Sequence, residues 1–223
     1  MNKLSKRLEV VASFVDENDK SVIDIGCDHG LLSIFLANKY KKLNIIASDV
    51  NKNALESARG NISKYNLEDR IDVRLGDGLS VIKNNDNIDS IVIAGMGANN
   101  ITGFLKSDVD KLVNVNKIII QSNTDIYLLR KTVTSLGYYI DDEELVLDRG
   151  KIYTIIKFIK GKRKYSYKEL YLGPILMRKN SDLFRDKSRM EYDNLVDIIN
   201  NIKGHYIYKI KLRRNINILK NIT

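Results

Sequence analysis

The chain reads as α/β, a seven-stranded mostly parallel sheet followed by a small C-terminal α-helical domain, and three observations predict this. Short apolar runs alternate with stretches of helical periodicity as far as residue 136, the pattern of a parallel sheet with crossover helices. Two longer runs, 138–147 and 151–160, flank Asp148-Arg149-Gly150 and read as a closing hairpin. Beyond Gly161 the strand pattern stops and the charge changes. Residues 160–223 hold 16 Lys+Arg and 6 Asp+Glu, a net of +10, against +9 for the whole chain. Two domains are therefore expected, 1–160 holding the sheet and 161–223 forming a basic helical appendage. Such asymmetry is the footprint of polyanion binding, set against the plainer reading of a lysine-rich solvated surface.

Composition bounds the rest. A length of 223 residues suits one ordinary domain plus an extension, and 43% hydrophobic residues suffice for a core. No apolar run nears the roughly 20 residues that span a bilayer. The basic N-terminus is followed by Asp16, Glu17 and Asp19 instead of an apolar segment, so neither a membrane nor a signal peptide is expected. A single cysteine, Cys27, excludes an internal disulfide and fits a reducing cytoplasm. One Pro alongside abundant Ile, Asn, Lys and Tyr points to a biased genome, which explains some of the lysine.

In chain order, Leu4, Leu8, Val11, Ala12 and Val15 recur at helical spacing and predict an amphipathic helix over 3–16, with Lys3, Lys6 and Arg7 on its polar side. Residues 21–25 are the first strand, and Leu31, Leu32, Ile34, Phe35 and Leu36 open the helix behind it. Residues 43–48 form a second strand ending at Asp49, and 51–65 a helix that Asp49 or Asn51 could cap. Strands follow at 70–75, 90–94 and 117–120, ending in Gly76-Asp77-Gly78, Gly95-Met96-Gly97-Ala98 and the polar cluster Gln121-Ser122-Asn123-Thr124-Asp125. A helix over 126–136 precedes the hairpin. After Gly161, residues 168–203 keep helical periodicity and Gly204 reads as a stop. Residues 206–219 mix alternating and helical patterns; two antiparallel helices packed as a hairpin are favoured.

The chemistry concentrates in Asp24-Ile25-Gly26-Cys27-Asp28-His29-Gly30-Leu31. A strand breaks into a glycine-bearing turn and a helix starts, so backbone N–H groups face a ligand. The spacing D-x-G-x-D-x-G differs from the dinucleotide pattern, because Asp28 stands where a glycine would admit a pyrophosphate. A carboxylate there repels phosphate and suits a cationic ligand, such as the sulfonium and amino group of S-adenosylmethionine. Asp49, 19 residues beyond Gly30, is placed for a ribose diol. Asp77 is placed for an adenine amine, although it also fits a plain Asp-Gly turn. Met96 reads equally as packing against the sheet.

Leu4-Ser5-Lys6-Arg7-Leu8, the Asp24–Gly30 turn, Ala47-Ser48-Asp49-Val50, Gly76-Asp77-Gly78-Leu79, Ile93-Ala94-Gly95-Met96-Gly97 and Asp148-x-Gly150-Lys151-x-Tyr153 together resemble the bacterial tRNA (adenine-22-N1)-methyltransferases. The resemblance covers 1–159 and continues more loosely into the tail, where Gly173-Pro174 also fits. It implies a Rossmann-like class I methyltransferase domain, a coiled-coil-like helical domain, S-adenosyl-L-methionine as cofactor with S-adenosyl-L-homocysteine as product, and tRNA as partner. The chain departs from the family's pattern at Ala98, where a glycine is common, and at Ser122, where a proline is common.

Adenine N1 carries an in-plane lone pair, so direct attack on the methyl needs no covalent intermediate and leaves Cys27 a turn residue. The cofactor set on this reading is Gly26, Asp28, His29, Gly30, Leu31, Asp49, Val50, Asn51, Asp77, Gly78, Ala94, Gly95, Met96 and Gly97. His29, Asn123 and Arg7 are the catalytic candidates. His29 also fits a structural turn, and the polar cluster containing Asn123 an ordinary capped loop. No metal is expected, no obligate protein partner is evident, and a monomer is the default. Two other readings stand beside this one: a methyltransferase for another RNA, and an RNA-binding protein on a relict fold.

Overall fold

The computed structural model describes residues 4–202, 204 and 206–222. It divides into two compact units, Met1–Lys164 and Tyr165–Thr223.

The first unit is a seven-stranded sheet. Its strands are β1 (Ser21–Ile25), β2 (Asn44–Asp49), β3 (Ile71–Leu75), β4 (Ser90–Met96), β5 (Lys117–Ser122), β6 (Tyr138–Asp148) and β7 (Lys151–Lys160), in the order β3-β2-β1-β4-β5-β7-β6. The first five run parallel, and β7 enters antiparallel between β5 and β6. Helices α1 (Lys6–Ser13), α2 (Leu31–Lys39), α3 (Lys52–Lys64), α4 (Ala98–Ser107) and α5 (Ile126–Ser135) belong to this unit. All five residues of β1 and all six of β5 are buried, as expected of strands covered on both faces. The chain turns from β1 outward to β2 and β3, then crosses back to β4 and β5. The β1/β4 boundary is thus the switch point at which open α/β sheets form their crevice.

Local chemistry sets the element ends. Ser5 caps α1 by accepting from the Leu8 N–H (3.3 Å), and Asn51, not Asp49, caps α3 through the Asn53 and Ala54 N–H groups. The closing hairpin turns on Arg149-Gly150, both with positive φ (49° and 76°), with Asp148 paired to Lys151. The helix expected over 3–16 spans only 6–13 among the described residues, and Lys3 lies outside them. Strand β5 runs on through Gln121 and Ser122, which were expected in the loop.

The second unit corrects the expectation of one helix over 168–203; Lys203 itself lies outside the described residues. Three helices stand there: α6 (Tyr167–Leu172), α7 (Pro174–Lys179) and α8 (Asp182–Asn201). Gly173 ends α6 at φ 98°, and Pro174 starts α7 where its missing N–H costs nothing. Asn180 then turns left-handed (φ 43°) and Ser181 caps α8. Residues 206–220 form α9 (Tyr206–Lys220), which packs on α8 and buries Leu212, Asn215 and Leu219. Asn215 Oδ1 accepts from the Tyr167 hydroxyl (2.7 Å), and the Arg214 guanidinium stacks 3.3 Å over the Tyr167 ring. Among the described residues no helix is long and apolar enough to cross a membrane.

Candidate active site

A cavity of about 460 Å³ opens at the C-terminal ends of β1, β2, β3 and β4. Its floor is the turn after β1. The Gly26 and Cys27 N–H groups donate to the Ser48 carbonyl (2.8 and 2.9 Å), tying the turn to β2. Gly26 sits at φ 74°, and a Cβ there would press to 3.3 Å from Met96 Sδ. Asp28 holds a left-handed backbone (φ 50°), a conformation that costs a residue with a side chain and clusters at ligand turns. Gly30 precedes α2 with no side-chain cap; the Ser33 N–H turns to Asp24, and the Leu31 and Leu32 N–H groups face a ligand.

Asp49 anchors the wall. Its Oδ2 accepts from the Asp28 N–H (3.1 Å) and its Oδ1 from the Asn51 N–H (2.9 Å), which leaves lone pairs on both oxygens for a ligand diol. Asp24 lies deeper, only 3% exposed, with Ser33 Oγ donating to it at 2.7 Å. Burial pushes its carboxyl up to about 6, the Ser33 bond opposes the rise, and the Asp49 charge adds to it. Cys27 also lines the cavity. Burial and the Asp24 and Asp49 carboxylates push its thiol up, so it stays protonated and is no nucleophile.

Of the residues expected at the site, Arg7, Gly26, Asp28, His29, Leu31, Asp49, Val50, Asn51, Asp77, Gly78, Ala94, Gly95 and Met96 line this cavity. Gly30, Gly97 and Asn123 do not line it. Gly30 lets α2 close on α3, where a Cβ would meet Ala58 Cβ at 3.2 Å. Gly97 precedes α4, whose Ala98 N–H is capped from afar by Thr124 Oγ1 (3.0 Å). Ser122 Oγ donates to the Met96 carbonyl (3.0 Å), so the hydroxyl ties β5 to the β4 turn. His29 is exposed, its Nδ1 2.8 Å from Ser57 Oγ and its Nε2 3.6 Å from Asp28 Oδ1.

At the β4 side of the cavity the strand carries a bulge at Gly95 (φ 86°), the kind of irregularity that re-aims groups beside active sites. Gln121 Oε1 accepts from the Gly95 N–H (3.0 Å) and from Arg7, whose guanidinium also lies 5.3 Å from the Tyr153 ring centroid. Asp24 and Gln121 stand in the motif and the polar cluster that the sequence singles out, but sequence reasoning assigns neither a place at the site. Each is a polar residue at the end of an otherwise apolar strand, and that pattern alone does not show which way its side chain turns.

The family model for tRNA (adenine(22)-N(1))-methyltransferase, TrmK, matches residues 22–222. This chain belongs to the TrmK family. It is 32% identical over 206 residues to the tRNA (adenine(22)-N(1))-methyltransferase of Bacillus subtilis (strain 168), covering 90% of this chain and 86% of that one. Two solved structures carry the cofactor or its product. M. capricolum TrmK with S-adenosyl-homocysteine superposes with a TM-score of 0.87 at 30% identity, covering 99% of this chain and 97% of that chain. A Streptococcus pneumoniae relative, Sp1610, in complex with S-adenosyl-L-methionine gives 0.90 at 31%, covering 99% of both chains. The cavity fits that cofactor: its volume falls in the small-molecule range, its acids suit a cation, and Gly26 leaves room at the turn. Among the described residues no cluster of three or more His, Cys, Asp or Glu is placed to hold a metal ion.

Proposed function

We propose that this protein transfers the methyl group of S-adenosyl-L-methionine to N1 of adenine 22 in tRNA. The observation that carries the reading is the acid-lined cavity at the switch point of a chain that matches this family from residue 22 to 222. The cofactor supplies an electrophilic methyl on a sulfonium. Asp28 and the N–H groups at the start of α2 hold its amino acid end, Asp49 the ribose, and Asp77 the adenine. The cavity that takes the cofactor runs from β3 to β4, and the acceptor base is placed at its β4 end, where Arg7 and Asn123 meet the Gly95 bulge. His29 lines the cavity from the turn after β1, held by Ser57 of α3.

The chain's task is alignment. Holding N1 in line with the methyl supplies an effective molarity worth up to about 7–11 kcal/mol. The base must leave its stack first, at a cost of a few kcal/mol. The second unit binds phosphate without sequence preference and brings the tRNA to the site; its 12 Lys+Arg against 6 Asp+Glu over 165–223, a net of +6, support that role. We further propose that the enzyme works as a monomer in the cytoplasm without an obligate protein partner. Size-exclusion chromatography with light scattering tests the first point, and fractionation the second.

The test is methyl transfer to unmodified tRNA transcripts followed by nucleoside mass spectrometry. N1-methyladenosine that vanishes when adenine 22 is replaced supports the reading. Bound cofactor without product on any tRNA refutes it.

A further inference from the structure

Gln121 is fully buried, yet it is the hub of a closed polar ring at the end of the sheet. Its Oε1 accepts from the Gly95 N–H (3.0 Å) and from Arg7 Nη1, and its Nε2 donates to Asn123 Oδ1 (3.1 Å). Asn123 Nδ2 donates back to the Gly95 carbonyl (2.7 Å). The direction of every bond is forced. A backbone N–H and a guanidinium only donate, so Oε1 must face them and Nε2 must face Asn123. The Gly95 carbonyl only accepts, so it takes Nδ2 and leaves Oδ1 for Gln121. Neither amide can flip without setting two like groups against each other.

We propose that Gln121 is a positioning residue for methyl transfer: through this ring it fixes the orientation of the exposed Asn123 amide and holds Arg7 and the Gly95 bulge beside the acceptor base. The inference rests on the acceptor placement given under the proposed function. Asn123 keeps one N–H and one Oδ1 lone pair outside the ring. An adenine presents an amino donor next to N1, so the end of the amide that faces it decides between a hydrogen bond and a repulsion. A buried residue with no contact to the base thereby sets the polarity that the base meets.

The test is Gln121→Glu, nearly the same shape but without the donor. Its carboxylate still accepts from Gly95 and Arg7, yet it meets Asn123 Oδ1 with an acceptor. Relief by flipping Asn123 drives Oδ1 onto the Gly95 carbonyl. The expected result is a kcat at least tenfold lower, with the Kd for S-adenosylhomocysteine and the KM for tRNA close to wild type. Asn123→Ala, at an exposed position, removes the amide that the ring orients and should lower kcat likewise. The double variant should be no slower than the slower single one, because both remove one device. A Gln121→Glu enzyme with wild-type kcat, losses that multiply in the double variant, or a kcat loss accompanied by weakened cofactor binding and a fallen Tm would overturn the proposal. A wild-type protein that binds S-adenosylhomocysteine but methylates no tRNA overturns the functional reading, and this inference with it.

Discussion

Replacing Asp24 by Asn should stabilise the cofactor-free protein at neutral pH and weaken its hold on the cofactor. The residue sits on β1, 3% exposed, with Ser33 Oγ 2.7 Å away and the Asp49 charge nearby. Burial raises its folded-state value to about 6 from an ordinary 3.8. Between those values the folded chain keeps a proton that the unfolded chain releases. Cofactor-free stability therefore falls as pH rises from about 4 to about 6, and above that window the full penalty remains. At about 1.4 kcal/mol per pH unit, the gap corresponds to about 3 kcal/mol. Asn cannot ionise, and its oxygen still accepts from Ser33. Urea unfolding at half-unit steps from pH 4 to 8 should show the two proteins equal near pH 4. The variant should draw ahead through pH 6 by up to about 3 kcal/mol. Parallel curves across that range would refute the assignment of a buried, ionising carboxylate.

Asp49→Ala removes the acceptor for the Asp28 and Asn51 N–H groups as well as for the ribose. Two bonds to a charged group at the low end of their range amount to about 3 kcal/mol, so calorimetry should show S-adenosylhomocysteine binding roughly 150-fold weaker; a change under threefold contradicts the role. Gly78→Ala forces a side chain into φ 52° with its Cβ 2.6 Å from Phe104, and strain plus overpacking should cost about 2–4 kcal/mol, read as a fall in Tm. Ending the chain after Lys164 should preserve cofactor affinity and weaken tRNA binding, with a shallower dependence of log K on log salt. Unchanged tRNA affinity would locate the RNA contacts in the first unit.

The sheet is legible in the sequence because its strands are apolar runs bounded by turn chemistry, and the spacing from Gly30 to Asp49 by itself puts a carboxylate at the end of β2, where the cavity lies. The helices of the second unit are less so. Leu183, Phe184, Tyr192, Leu195, Val196, Ile199 and Ile202 continue a helical pattern, and periodicity alone does not show that Gly173-Pro174 and Asn180-Ser181 interrupt the segment upstream. Gln121 and Ser122 read as loop because polar residues in a strand look like an ending. Their hydrogen bonds go to Gly95 and Met96, some 26 residues away in sequence, and only tertiary structure reveals such partners. Asp24 is visible as the first acid of the turn motif, but its burial and its partner Ser33, on the next helix, are not.

The gathering of Asp24, Asp28 and Asp49 around one turn has a consequence for turnover. Methyl transfer removes positive charge from the sulfur and leaves it on the adenine ring. The cavity that attracted a cation then holds a neutral sulfur, while its acids stay in place. One unit charge about 6 Å from a carboxylate, at an effective dielectric constant of about 20, is worth about 3 kcal/mol before ionic screening. The acids should therefore favour the substrate cofactor over its product, giving exchange a direction without any moving part. Asp24→Asn removes one contributor, so the ratio of S-adenosylmethionine to S-adenosylhomocysteine affinity should fall in that variant at pH 8. Lowering the wild-type protein below pH 6, where Asp24 protonates, should shift the ratio the same way. If the variant keeps the wild-type ratio at pH 8, the preference comes from contacts to the methyl group and not from the field of the buried carboxylate.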